Sequence, residues 1–128
     1  MNVLVVDDDA PIRALVTRVF ARRGDKVQSA VDGEAAIACL KAHSFDLVVL
    51  DLMMPRTDGF GVLAYVETLG GNRPKIIVMT AAVPGLVDKV PSKMVVGVLG
   101  KPFDLQSLVH LAERAFPART ARPAAMRP

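Results

Sequence analysis

The chain has 128 residues, the size of one ordinary domain, and 52% of them are hydrophobic but only 5% aromatic, so it can bury an aliphatic core without staples. No apolar run approaches the length of a membrane span, and a lone cysteine, Cys39, excludes an intrachain disulfide and fits a reducing cytoplasm. The net charge of +3 comes wholly from Arg119, Arg122 and Arg127; up to residue 116, Lys and Arg balance Asp and Glu at 13 each, which argues against a nucleic-acid surface on the folded part. Val3-Leu4-Val5-Val6 is a short, wholly apolar, β-branched run at the start, with no charged-then-apolar leader before it, and a cytoplasmic location is expected. Ile12, Leu15, Val16, Val19 and Phe20 then repeat at helical spacing, with Pro11 suited to a first helical turn and Gly24 to the stop.

Lys26 to Ala30 is a weaker candidate strand. Asp32 can cap a second helix reaching about His43, with Ile37 and Leu40 inward. Leu47 to Leu50 and Ile76 to Met79 are again wholly apolar, and a third helix is expected between them from about Phe60 to Leu69, before Gly70-Gly71. Val95 to Leu99 is a last strand, interrupted by Gly97, and a last helix starts at Asp104, carries Leu105, Leu108, Leu111 and Ala112, and ends before Pro117. Wholly apolar strands are buried on both faces, as in parallel sheets. Their alternation with helices predicts a doubly wound, flavodoxin-like α/β fold with five strands in the order 2-1-3-4-5. The expected division is a domain over residues 1–116 and a basic Pro/Ala/Arg tail or linker over residues 117–128.

Open α/β sheets place their sites at the carboxyl ends of the strands. There the sequence puts Asp7-Asp8-Asp9 after the first strand, Asp51 after the third, Thr80 after the fourth and Lys101-Pro102 after the fifth. With the first and third strands adjacent, roughly 4.8 Å apart, their terminal carboxylates crowd together and repel. A small set of oxygen ligands suits Mg²⁺, and the Lys101 ammonium supplies further positive charge. A metal, a lysine, a threonine hydroxyl and an open carboxylate together can receive a phosphoryl group, the carboxylate acting as nucleophile and the others stabilising the transferring oxygens. Asp7 to Asp9 alone would equally fit a loop and a helix cap; the acids and the lysine on the other strand ends give them more meaning. Asp9 is expected near the positive end of the first helix, facing solvent. Asp58-Gly59 is read as a turn, Cys39 as a small core residue, and His43 and His110 as surface residues.

The set Val-Val-Asp-Asp-Asp at the start, Leu-Asp-Leu-Met-Met-Pro-Arg-Thr-Asp-Gly at 50–59, Met-Thr-Ala at 79–81 and Gly-Lys-Pro-Phe at 100–103 resembles response-regulator receiver domains. Gly24, Val27, Ala30 and Gly33 fit that family's second strand and turn, and the resemblance covers residues 2–116. It implies a signalling phosphoacceptor rather than a conventional enzyme, one that promotes its own Mg²⁺-dependent phosphorylation and dephosphorylation. Asp51 would take the phosphoryl group from a sensor histidine kinase or phosphotransfer protein. Asp8, Asp51 and the backbone carbonyl of Met53 would ligate Mg²⁺ directly, and Asp7 through water. Thr80 and Lys101 would bind phosphoryl oxygens, and the Lys101–Pro102 peptide would be cis. Phosphorylation would switch binding to a downstream protein whose identity the sequence does not carry; no membrane partner is implied, and a homodimer stays open.

Two positions depart from the family. Val98 stands where many receivers carry a switching aromatic, and valine is stiff at χ1. The segment Val83 to Met94 contains Pro84, Gly85 and Pro91, which predicts a short or irregular element at about residues 84–90 instead of a full fourth helix, and so weakens the dimer or partner face usually built there. Three rival functions can be weighed. A haloacid-dehalogenase-type phosphatase needs an acid at the position of Met53, and a nucleotide or flavin site would want glycines where Asp7 to Asp9 stand. The third is a phosphorylation-independent pseudo-receiver, which loss of any of Asp7, Asp8, Asp51, Thr80 or Lys101 would have favoured; all five are present.

Overall fold

A computed structural model describes residues 1–54, 56–81, 89–90 and 93–116. In chain order its elements are β1 (Asn2–Val6), α1 (Ala10–Arg22), β2 (Lys26–Ala30), α2 (Gly33–Ala42), β3 (Leu47–Asp51), α3 (Gly59–Glu67), a 3₁₀ turn (Gly70–Asn72), β4 (Lys75–Ala81), β5 (Val95–Lys101) and α4 (Leu105–Ala115). The five strands are parallel and run β2-β1-β3-β4-β5, the expected flavodoxin-like order. Most of the expected irregular element at residues 84–90, namely 84–88, and all of the tail at residues 117–128 lie outside the described residues.

Alternation along the central strands divides the core in two. Leu4, Val6, Val48, Leu50, Ile76 and Val78 face α2 and α3, where they meet Ala36, Leu40, Val62, Leu63 and Val66. Val3, Val5, Leu47, Val49, Ile77 and Met79 face α1 and α4, meeting Val16, Phe20, Leu108 and Ala112. All of β3 is buried, as a central parallel strand requires. Each fully buried aliphatic side chain contributes roughly 1.5–3 kcal/mol of transfer free energy. The polar pattern of β2 reflects its place at one edge of the sheet.

Strand β5 departs from simple alternation. Ile76 pairs with Val95 but Ile77 with Gly97, so Val96 is an extra residue in a bulge. Val95 and Val98 therefore share one core half while Val96 and Leu99 share the other. Gly97 sits against α4, where a Cβ would come 2.5 Å from Leu111 Cδ2.

Four helices are N-capped by aspartate: Asp9 by a bond from the Ile12 amide (3.2 Å), Asp32 from Ala35 (2.8 Å), Asp58 from Gly61 (3.1 Å) and Asp104 from Ser107 (2.7 Å). Asp58 is thus a helix cap, not merely a turn residue, and α3 starts one residue and ends two residues before the expected 60–69. In α1, formed as expected, Leu15 is 45% exposed and Val16 and Phe20 are the fully buried residues, because a single sheet face admits a narrow stripe of the helix. Cys39 is partly buried against the α2–α3 half of the core, and His43 and His110 are exposed.

Candidate functional site

The carboxyl ends of β1, β3, β4 and β5 meet at one edge of the sheet. Asp51 is the last residue of β3 and pairs in register with Met79, next to Thr80; Thr80 pairs with Gly100, next to Lys101. Asp7 follows β1 directly and its amide bonds to the Ala30 carbonyl at 3.2 Å. Parallel register thus forces two carboxylates, a hydroxyl and an ammonium, distant in sequence, to the same edge of the sheet.

Lys101 organises it. Its ammonium donates to Asp7 Oδ2 at 2.8 Å and to Asp51 Oδ2 at 3.2 Å. The remaining oxygens are held by backbone: Asp7 Oδ1 accepts from the Asp9 amide (2.9 Å) and Asp51 Oδ1 from the Met53 amide (3.1 Å). Both carboxylates are buried, whereas Asp8 is exposed. Burial raises the pKa of Asp51 from 3.8 to about 6, the Met53 amide and the Lys101 charge opposing that rise and Asp7 adding to it. Burial alone would depress Lys101, but its bond to Asp7 and the charges of Asp51 and Asp7 outweigh it and raise its pKa. Lys101 is therefore a fixed cation.

Carboxylate oxygens of Asp7, Asp8 and Asp51 all lie within 4.8 Å of one another. This all-oxygen set, two members buried and one open to water, matches the preference of Mg²⁺ for a few carboxylates plus retained waters. Thr80 is 1% exposed, and its hydroxyl has no hydrogen-bond partner among the described residues. A buried hydroxyl without a partner is costly, and a ligand oxygen entering the site would satisfy it. The Lys101–Pro102 peptide is cis, as expected.

The structure brings together every side chain singled out for the site. Met53 joins through its amide, and the residue is 54% exposed. One residue escaped the sequence reading: the Arg13 guanidinium donates to the Asp7 carbonyl at 2.8 Å, bracing the turn that carries the acids. Its place one turn into α1 from the acidic run was the only available signal, and an arginine on a helix face is usually just solvated.

Known proteins resemble this chain in sequence and in fold. The sequence pattern described as the response regulator receiver domain matches residues 3–113. Response regulator MprA of Mycolicibacterium vanbaalenii is 37% identical over 116 residues, 85% of this chain and 47% of that protein. Among solved structures, chemotaxis protein CheY4 of Vibrio cholerae superposes with a TM-score of 0.79 at 27% identity, covering 90% of this chain and 98% of that one. Response regulator TrrA of Thermotoga maritima, solved in complex with Mg(2+)-BeF, gives 0.78 at 27% identity with the same coverage. The chain spans about half or less of the length of the curated relatives it matches first.

Proposed function

This chain belongs to the response regulator receiver domain family, and from that premise we propose that it accepts a phosphoryl group on Asp51 and changes its binding to a downstream protein as a result. The observation that carries this reading is the Lys101 ammonium lying between the buried carboxylates of Asp7 and Asp51, beside a buried Thr80 hydroxyl with no partner among the described residues.

The chemistry follows from the residues. With a pKa of about 6, Asp51 is mostly ionised at neutral pH and can act as a nucleophile. One of its oxygens attacks the phosphorus of a phosphohistidine on a sensor kinase or phosphotransfer protein; the P–N bond breaks and its electron pair returns to the imidazole nitrogen. Lys101, held by Asp7, is placed to neutralise an incoming phosphoryl oxygen, and Thr80 to donate a hydrogen bond to another. Bound Mg²⁺, held by Asp8, Asp51 and the Met53 carbonyl with Asp7 acting through water, would supply the remaining charge neutralisation. Arg13 keeps the acidic turn in shape.

Residues 1–116 form the receiver and 117–128 a tail or linker. The role is signalling, with self-promoted phosphorylation and dephosphorylation in place of substrate turnover. No helix among the described residues is long and apolar enough to cross a membrane, and a cytoplasmic location is part of the proposal. Incubation with acetyl phosphate and Mg²⁺ followed by intact mass tests the reading. One added phosphoryl group in the native chain and none in Asp51→Asn supports it; no gain in the native chain refutes it.

A further inference from the structure

We propose that Gly33 and Asp32, at the amino end of α2, are positioning residues that seat Arg56 and Thr57 and so hold the nearby Asp51 carboxylate ready for a divalent cation. This rests on the reading of the site given above, and it extends that site to a helix that contributes no ligand.

Gly33 is buried, and a Cβ built on it would collide with the Thr57 carbonyl oxygen, lie 2.6 Å from the Thr57 carbonyl carbon and 2.8 Å from Thr57 Cβ. The obstacle is largely backbone, which cannot swing aside as a side-chain tip can. Thr57 is wedged from a second direction, since its Cγ2 occupies the space a Cβ on Gly61 would take. Asp32 spans the same seam: Oδ1 accepts from the Ala35 amide at 2.8 Å while Oδ2 lies 3.8 Å from Arg56 Nη1. Arg56 has φ 61, a left-handed conformation that non-glycine residues rarely adopt and that surrounding contacts must hold.

Met53 and Gly59, on either side of Arg56 and Thr57, reach the site. The Met53 amide donates to Asp51 Oδ1 at 3.1 Å, which leaves Oδ2 to Lys101 at 3.2 Å. The Gly59 amide bonds to the Leu52 carbonyl at 3.1 Å, and a Cβ on Gly59 would lie 2.6 Å from the Asp51 carbonyl oxygen. Met53 and Gly59 are therefore tied to Asp51 and its neighbour Leu52, while Arg56 and Thr57 are tied to α2. Pushing Thr57 away from α2 would loosen the Met53 amide and release Oδ1, so that Asp51 could turn wholly toward Lys101.

Mg²⁺ affinity measured by ¹H–¹⁵N NMR titration tests this. Gly33→Ala is expected to weaken Mg²⁺ binding roughly 10- to 100-fold, as loss of supporting contacts around metal ligands does, and Arg56→Gln by a smaller factor. The control is Gly24→Ala: Gly24 has φ +90 and nothing within 4 Å of a Cβ, so the change should lower Tm without altering Mg²⁺ affinity. With acetyl phosphate, Gly33→Ala should need more Mg²⁺ for half-maximal rate yet approach the native rate at saturation. Unchanged Mg²⁺ affinity in Gly33→Ala and Arg56→Gln would overturn the inference, and should Gly33→Ala fail to fold, unchanged affinity in Arg56→Gln does so alone. Absence of Mg²⁺ binding in the native chain overturns the site reading itself, and this inference with it.

Discussion

Replacing Asp51 with Asn should stabilise the metal-free protein, although it deletes one arm of an ion pair. Asp51 is 3% exposed, and its pKa stands at about 6 against an ordinary 3.8 even with Lys101 at 3.2 Å and the Met53 amide at 3.1 Å. A folded-state pKa above the unfolded value means that the native state binds the proton more tightly. The associated stability is fully present below about pH 4 and lost as pH rises through about 6. At ~1.4 kcal/mol per unit, the ionised group costs roughly 2–3 kcal/mol at pH 7.5, after allowance for screening at the open side of the site. Asparagine keeps the shape and can still accept from the Met53 amide, while Lys101 retains Asp7 at 2.8 Å. The variant should therefore gain roughly 2–3 kcal/mol, on the order of 10 °C in Tm for a domain of this size. Urea or thermal melts in EDTA at pH 7.5 and at pH 3.5 measure it, the gain vanishing at the lower pH because aspartate is then neutral too. Mg²⁺ should narrow or reverse the difference, since it stabilises only the chain that binds it, by ~2.7 kcal/mol at 100 times its Kd. No gain at pH 7.5, or an equal gain at both pH values, would show that Asp51 does not carry the burial penalty.

Mg²⁺ and the proton should compete at Asp51, so Mg²⁺ affinity is expected to fall as pH drops through about 6, and a titration flat between pH 7.5 and pH 5 would contradict this. Asp8→Ala should remove most of the Mg²⁺-induced rise in Tm while shifting the metal-free Tm little, because Asp8 is exposed; an unchanged Mg²⁺ response rejects its role. Met53→Asn should shorten the lifetime of the phosphorylated form, since the half-exposed methionine shields the acceptor and offers attacking water no hydrogen bond; equal decay rates by mass spectrometry would sink the idea. Gly59→Ala should cost ~3 kcal/mol, as its Cβ would fall 2.5 Å from Leu52 Cα, whereas Gly71→Ala has open space and should be near neutral; comparable urea midpoints for the two would refute this packing.

Much of the site was legible before any coordinates. Asp7, Asp8, Asp51, Thr80 and Lys101 all stand at or within two residues of the end of an apolar run, and topology places the carboxyl ends of parallel strands along one edge. What each polar group does there was less legible. Asp7 and Asp8 are adjacent in sequence, yet one is fully buried against Lys101 and the other exposed, a difference set by which way the chain turns after β1. Arg13, Gly33 and Thr57 carry no pattern of their own and acquire meaning only from neighbours brought close by the fold.

The sequence by itself determined the strands, their two-sided burial, the helix cap at Asp32, the start of the last helix at Asp104 and the chemical inventory of the site, because these depend on local composition and on the period of side-chain direction. Tertiary structure alone decided the bulge at Val96, which turns Val98 toward the same core half as Val95, and the exposure of Leu15 on a helix whose apolar stripe is wider than the sheet can cover. It alone also decided the seam between α2 and Thr57. Each of these is a contact between elements far apart in the chain, and steric fit across such contacts depends on distances that no local pattern encodes.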